Sequence, residues 1–278
     1  MTDNTATKVG REAADGVKAQ YQTPDGINAR IALHANWSTA SISWPRWVAE
    51  QLDLAPEATV LEVGCGSAWL WQEAAAALPP GVRLTLSDRS PTMIESVRTS
   101  LGSVLPPQTA YRAEDVLGLS FPAGTFDAVI ANHMLYLVDE RPQALRELAR
   151  VLKPAGRAFT ATNGPDHLRE LTELAQRHAR PGRQVFEGGV DTSRFDLTNG
   201  AEQLREAFTD VTVRSYDDGL VVKEADPVIA YVASLPSWRD AVDLDALRAD
   251  VEERIARDGA FTVTKSTGLF VSAGPRQR

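Results

Sequence analysis

An apolar run that climbs to a carboxylate and breaks at two glycines constrains this chain most: Val60-Leu61-Glu62-Val63-Gly64-Cys65-Gly66-Ser67-Ala68-Trp69-Leu70. It reads as a buried parallel strand turning sharply into a helix. Glycines permit the tight turn and let a ligand approach the backbone with no Cβ in the way. The N–H groups that open the helix give a polar, positive rim. A dinucleotide loop needs a small residue at its third glycine so that helix and strand pack closely. Counted from Gly64, that place holds the bulky Trp69, which argues against a pyrophosphate loop. No G-K-[ST] follows, which excludes a Walker-type loop. The pattern that fits is acidic-x-G-x-G-x-small, made by Glu62, Gly64, Gly66 and Ala68. A strand-turn-helix without a ligand stays open on this stretch alone.

The 278 residues, 43% hydrophobic, suffice for one large α/β domain with added segments. No apolar run reaches the length of a membrane span, and the polar start of the chain has no signal-peptide core. The single cysteine, Cys65, excludes an internal disulfide and any cysteine-rich metal site, and no cluster has metal-ligand spacing. The expected compartment is the cytoplasm. A net charge of −8, from 29 basic and 37 acidic residues, argues against a broad nucleic-acid footprint.

Taken in order, residues 1–15 read as disordered or weakly helical. The next segment, to Leu54, is rich in helix formers and crowded with Tyr21, Trp37, Trp44 and Trp47. Pro45 suits the first turn of a helix running to Leu52. Arg30 and His34 fall one helical turn apart. Strands are predicted at Thr59–Val63, Arg83–Ser87, Thr109–Ala113, Phe126–Asn132 and Arg157–Ala161. Helices alternate with them from Ser67 to Leu78, after the N-cap Ser90 and Pro91, and from Arg141 to Leu152. Later, a short helix spans Leu168–His178. Asn199 and Glu202 have capping-box spacing ahead of a helix to Phe208. Val211–Tyr216 and Phe261–Ser272 alternate as antiparallel strands do, and a helical insertion runs from about Asp226 to Asp258. The expectation is a Rossmann-like α/β fold: a seven-stranded, mostly parallel sheet with an antiparallel last strand and helical cap insertions. A single domain is expected, with a helical lid in 1–54, a cofactor-binding core in 55–165, and cap insertions plus the last two strands in 166–278.

In such sheets the ligand sits beyond the carboxyl ends of the strands. Glu62, Asp88, Asp115 and Asn132 all fall at or just past predicted strand ends. Asp88, with Arg89 beside it, lies 22 residues after Gly66, where a carboxylate can accept both hydroxyls of a ribose. Its bland alternative is an ordinary loop aspartate.

Glu62-x-Gly64-x-Gly66-x-Ala68 resembles motif I of class I S-adenosylmethionine-dependent methyltransferases. Further segments match in order: Glu114-Asp115-Val116 through Phe126-Asp127, then Ala131-Asn132-His133-Met134-Leu135-Tyr136, then Arg150-Val151-Leu152-Lys153-Pro154-Ala155-Gly156. Ala68 and Ala155 stand where the family usually has glycine. The resemblance covers about residues 55 to 165. The segment Ala131–Tyr136 and the ending Thr264–Phe270 look most like the type-11 methyltransferases, mostly small-molecule enzymes, many of them in secondary metabolism.

The resemblance implies S-adenosylmethionine as cofactor, with Asp115 on the adenine amino group and the Val116 amide on a ring nitrogen. The backbone of Gly64, Cys65 and Gly66 would line it, and Tyr21 would close over the methionine end. His133, just past the fourth strand, is the best candidate general base; a histidine in the pocket wall is the alternative. Tyr136 is an acceptor-binding or packing residue. Arg30 is a candidate for the cofactor carboxylate, with His34 and Trp37 for the acceptor, against a helix-surface ion pair. Cys65 has no adjacent histidine and is rejected as a nucleophile. The implied reaction moves a methyl to oxygen or nitrogen of a small, partly apolar molecule, with neither nucleic acid nor membrane as partner. A non-methylating cyclase-type enzyme on the same fold and a non-catalytic binding module are the rivals.

Overall fold

The computed structural model describes residues 24–183, 185 and 192–276. Tyr21 and the expectation for residues 1–15 lie outside them. Two compact units divide the chain. The sheet unit comprises Ile42–Gly164, Ser193–Tyr216 and Thr267–Arg278; the helical unit comprises Met1–Ser41, Pro165–Thr192 and Asp217–Ser266.

In the sheet unit, α2 (Trp44–Leu52) precedes β1 (Thr59–Val63), α3 (Trp69–Ala74), β2 (Arg83–Asp88), α4 (Pro91–Leu101), β3 (Ala110–Ala113), β4 (Phe126–Asn132), α5 (Arg141–Val151) and β5 (Leu152–Asn163). Then come α7 (Gly200–Arg205), β6 (Phe208–Tyr216) and β9 (Thr267–Pro275). The strand order is β3-β2-β1-β4-β5-β9-β6. The first five strands pair in parallel, while β9 runs antiparallel to both β5 and β6. This is the seven-stranded, mostly parallel sheet expected. Strands buried on both faces explain the continuous apolar runs of β1 and β4: Val60, Leu61, Val129 and Ile130 have no exposed surface. Ser90 caps α4 by accepting the Met93 N–H at 3.3 Å, and Pro91 opens that helix. Pro45 lies in the first turn of α2, as its fixed φ favours.

The helical unit holds α1 (Pro24–Trp37), α6 (Arg169–Arg177), α8 (Ala225–Ser234), α9 (Pro236–Arg239) and α10 (Leu244–Asp258), with a two-stranded sheet of β7 (Gly219–Val222) and β8 (Phe261–Thr264). It has its own core, in which Leu33, Leu171, Val228, Val232, Trp238, Leu247 and Val251 are buried.

Three expectations are corrected. Phe261–Ser272 is two strands in two sheets, because Lys265 at the break turns inward to pair with the buried Asp218 carboxylate. The helix expected over Ser67–Leu78 begins only at Trp69 and tightens into a 3-10 turn at Ala75–Ala77. Gly66 and Ala68, at φ +54° and +53°, hold the chain out of the helical region until then. The Asn199–Glu202 capping box does not form. Asp196 instead accepts the N–H groups of Thr198 and Asn199, while the Asn199 side chain is bound to Ser193 and Gln203.

Candidate active site

The carboxyl ends of the parallel strands bring together most of the residues singled out above. The loop after β1 is left-handed at Gly64 (φ +64°), Gly66 and Ala68. A Cβ at Gly64 would come within 3.0 Å of the Met134 side chain, whereas one at Gly66 would meet nothing within 4 Å. Gly64 therefore answers to packing and backbone conformation, and Gly66 to conformation plus an open approach to its backbone. At the end of β2, Asp88 Oδ2 accepts the Gly66 N–H at 3.0 Å and Oδ1 accepts the Ser90 N–H at 2.9 Å. The second-strand carboxylate is thereby pinned against the glycine loop, with lone pairs remaining on both oxygens. Arg89 beside it is exposed.

Glu62 is almost fully buried, and Trp71 Nε1 donates to its Oε2 at 2.5 Å. Burial pushes its carboxyl up to about 8; the Trp71 hydrogen bond opposes this, and the negative charge of Asp88 adds to it. Burial, with the charges of Glu62 and Asp88, also drives the Cys65 thiol well above its ordinary range, so it stays protonated and unreactive. After β3, Asp115 is exposed and its Oδ1 accepts the Leu117 N–H at 2.9 Å, an Asx turn that presents the carboxylate beside the buried Val116. Arg150 braces this loop from behind, donating to the carbonyls of Leu119 and Phe121, both at 2.8 Å.

At the end of β4, Asn132 Oδ1 is buried with no hydrogen-bond partner among the described residues. His133 follows in the left-handed region, at φ +54°, a strained conformation of the kind that clusters at functional sites. Its N–H donates to the Ala161 carbonyl at 3.1 Å, and its ring lies 5.4 Å from that of Trp44. Tyr136 packs with Met134 against the core of the sheet unit.

Arg30, His34 and Trp37 belong to α1 of the helical unit. There His34 stacks on His167 at 6.4 Å and meets Tyr231 edge-on at 6.3 Å, while Trp37 packs on the unit's core. Trp71 and Tyr216 were not singled out from the sequence, and Trp44 was noted only as one of the aromatics crowded before Leu54, with no role at the site. The only signal was that bulky aromatics occupy positions where ordinary packing would accept an aliphatic.

The rim fits an adenosyl ligand. It has carboxylates at two successive strand ends, a glycine loop open to close approach, and an orphaned buried acceptor at a third strand end. Residues 61–160 match the family model described as "Methyltransferase domain". Over those residues the chain carries a class I, S-adenosylmethionine-dependent methyltransferase domain. It is 38% identical over 117 residues to the ubiquinone biosynthesis O-methyltransferase of Xanthomonas oryzae, covering 42% of this chain and 47% of that one. It is 36% identical over 141 residues to the malonyl-[acyl-carrier protein] O-methyltransferase of Halorhodospira halophila, covering 45% and 46%. The chain thus spans about half the length of the curated relatives it matches. Among solved structures, the Haemonchus contortus phospholethanolamine N-methyltransferase 2, in complex with phosphomonomethylethanolamine and S-adenosylhomocysteine, superposes with a TM-score of 0.56 at 14% identity. That match covers 92% of this chain and 59% of the other, and it shows the methyltransferase domain's fold. No helix among the described residues is long and apolar enough to cross a membrane.

Proposed function

We propose that this chain methylates an oxygen of a small acceptor, with Asp88, Asp115, Val116 and Asn132 holding the cofactor at the strand ends. S-adenosylmethionine supplies a methyl on a positively charged sulfur with a neutral leaving group. The observation that carries the reading is the Asp88 carboxylate fixed on the Gly66 N–H, which sets a ribose-binding acid against the glycine turn. Asp88 takes the ribose hydroxyls. Asp115 accepts the adenine amino group and Val116 offers its amide. The orphaned Asn132 Oδ1 accepts from the cofactor's ammonium. Oxygen is favoured over nitrogen because both curated relatives named above are O-methyltransferases. Their names give no support to secondary metabolism as the setting.

Little more than alignment is asked of the protein, since in-line placement in a dry site supplies much of the acceleration. His133 takes the acceptor's proton as its oxygen is alkylated, and its strained backbone aims the ring. Calorimetry with S-adenosylhomocysteine tests the assignment: Asp88→Ala and Asp115→Ala should each weaken binding at least about tenfold, the scale of one charged hydrogen bond. Unchanged affinity in both would sink it.

A further inference from the structure

A wall of rings stands beside His133 in the sheet unit. Trp44 opens α2, Trp47 follows one turn later, and Tyr216 ends β6. The two indoles stack at 5.2 Å, and Tyr216 meets them at 5.2 and 5.3 Å. Because β5 and β6 are both antiparallel to β9, they run parallel to each other. Tyr216 therefore ends at the same rim as Asn132. Its hydroxyl donates to the Ile42 carbonyl at 2.6 Å, which ties the ring to the segment leading into α2.

Packing alone does not account for Trp44. It continues the buried stripe of Val48 and Leu52, and is itself only 6% exposed. A phenyl or leucyl side chain would serve that stripe without a polar atom. Instead, Trp44 Nε1 is buried with no hydrogen-bond partner among the described residues. Asn132 Oδ1, next in sequence to His133, is orphaned in the same way. Buried polar groups without partners are few in native proteins, and each calls for a reason such as a missing ligand atom.

We infer that Trp44, Trp47 and Tyr216 form the acceptor face, and that the acceptor is a planar aromatic compound whose oxygen substituent accepts the Trp44 Nε1–H bond. This rests on the methyl-transfer reading for the identity of the acceptor, but not on His133 being a base. Rings favour offset or edge-on contact at the separations found here, so such a wall buries a flat ring best. Aromatic walls also attract quaternary ammonium groups. A cationic nitrogen, however, would leave the indole N–H unmatched, whereas a hydroxyl or carbonyl oxygen satisfies it.

The test is calorimetry on the full chain, with and without saturating S-adenosylhomocysteine. Three probes on one fused bicyclic carbon skeleton are compared: planar 2-naphthol, its puckered saturated analogue decahydro-2-naphthol, and planar 2-naphthyltrimethylammonium. The expected result is 2-naphthol binding at least tenfold more tightly than either of the others. In Trp44→Phe, which keeps a ring and loses the donor, 2-naphthol affinity should fall about tenfold while S-adenosylhomocysteine affinity stays within twofold. Equal binding of the saturated analogue, tighter binding of the ammonium, no binding of 2-naphthol, or an unchanged affinity in Trp44→Phe would each overturn the inference. Failure of S-adenosylhomocysteine to bind would instead strike the methyl-transfer reading, and the probe comparison would still be decided by the runs without it.

Discussion

At the scale of the residue, Glu62 shows how one side chain can serve a turn at a cost in stability. Its carboxyl is held at about 8 against an ordinary 4.5. The folded state therefore binds the proton more tightly than the unfolded chain does. The stabilisation is full below pH 4.5 and is lost as pH rises through about 8. Replacing Glu62 by Gln keeps the Trp71 hydrogen bond and removes the titration. Urea denaturation at pH 5 and pH 8.5 should show wild-type stability falling relative to Glu62→Gln by up to roughly 4 kcal/mol. Parallel curves at the two pH values would show that Glu62 ionises normally. The sequence marked Glu62 as the acidic residue of the motif. It did not mark Trp71 as its partner, because the bend at Gly66 and Ala68 that aims the indole is a matter of backbone angles.

At the scale of the element, the break between β8 and β9 depends on one buried ion pair. The Asp218 side chain is fully buried and accepts from Ser38 Oγ at 2.7 Å, and from the N–H groups of Thr39, Ala40 and Gly219 at 3.1, 3.2 and 2.8 Å, as well as pairing with Lys265. Burial disfavours its anion, but the hydrogen bonds from Lys265, Ser38 and Gly219 and the Lys265 charge outweigh it and hold the carboxyl below the usual range. Asp218→Asn would leave a buried ammonium without its counter-charge and should cost about 3–5 kcal/mol in chemical denaturation. The double variant with Lys265→Met should regain much of that loss; no recovery would show that the carboxylate acts through its backbone bonds instead. The sequence did carry a sign of the break: Lys265 falls on the apolar phase of Phe261–Thr264, and Leu269-Phe270-Val271 is a continuous apolar run rather than an alternating one.

For the whole molecule, stability against pH is bounded on the acid side by a carboxylate-centred cluster within the helical unit. Partial burial disfavours the Asp250 anion, but hydrogen bonds from Arg254 at 2.5 Å, His178 at 2.9 Å and Arg177 at 3.2 Å outweigh it and hold the carboxyl near 2. Its contribution is present above 3.8 and disappears as pH falls through about 2. Asp250→Asn should therefore cost about 1–2 kcal/mol at pH 6 and nearly nothing at pH 2 in denaturant titrations. An equal loss at both pH values would mean that packing, rather than charge, is what the substitution removes.

The sequence by itself determined the order of strands and helices, the motif glycines, and the acids at the strand ends. Each of these is local: periodicity, turn chemistry and spacing act over a few residues. It could not place Trp44 beside His133, stack His34 on His167, or send Lys265 inward to Asp218. Those meetings join segments far apart in the chain, and β-sheet order and helix packing decide them. Nor could it show that Trp44 Nε1 and Asn132 Oδ1 lack partners, because an unmet hydrogen bond exists only once everything around it has been put in place.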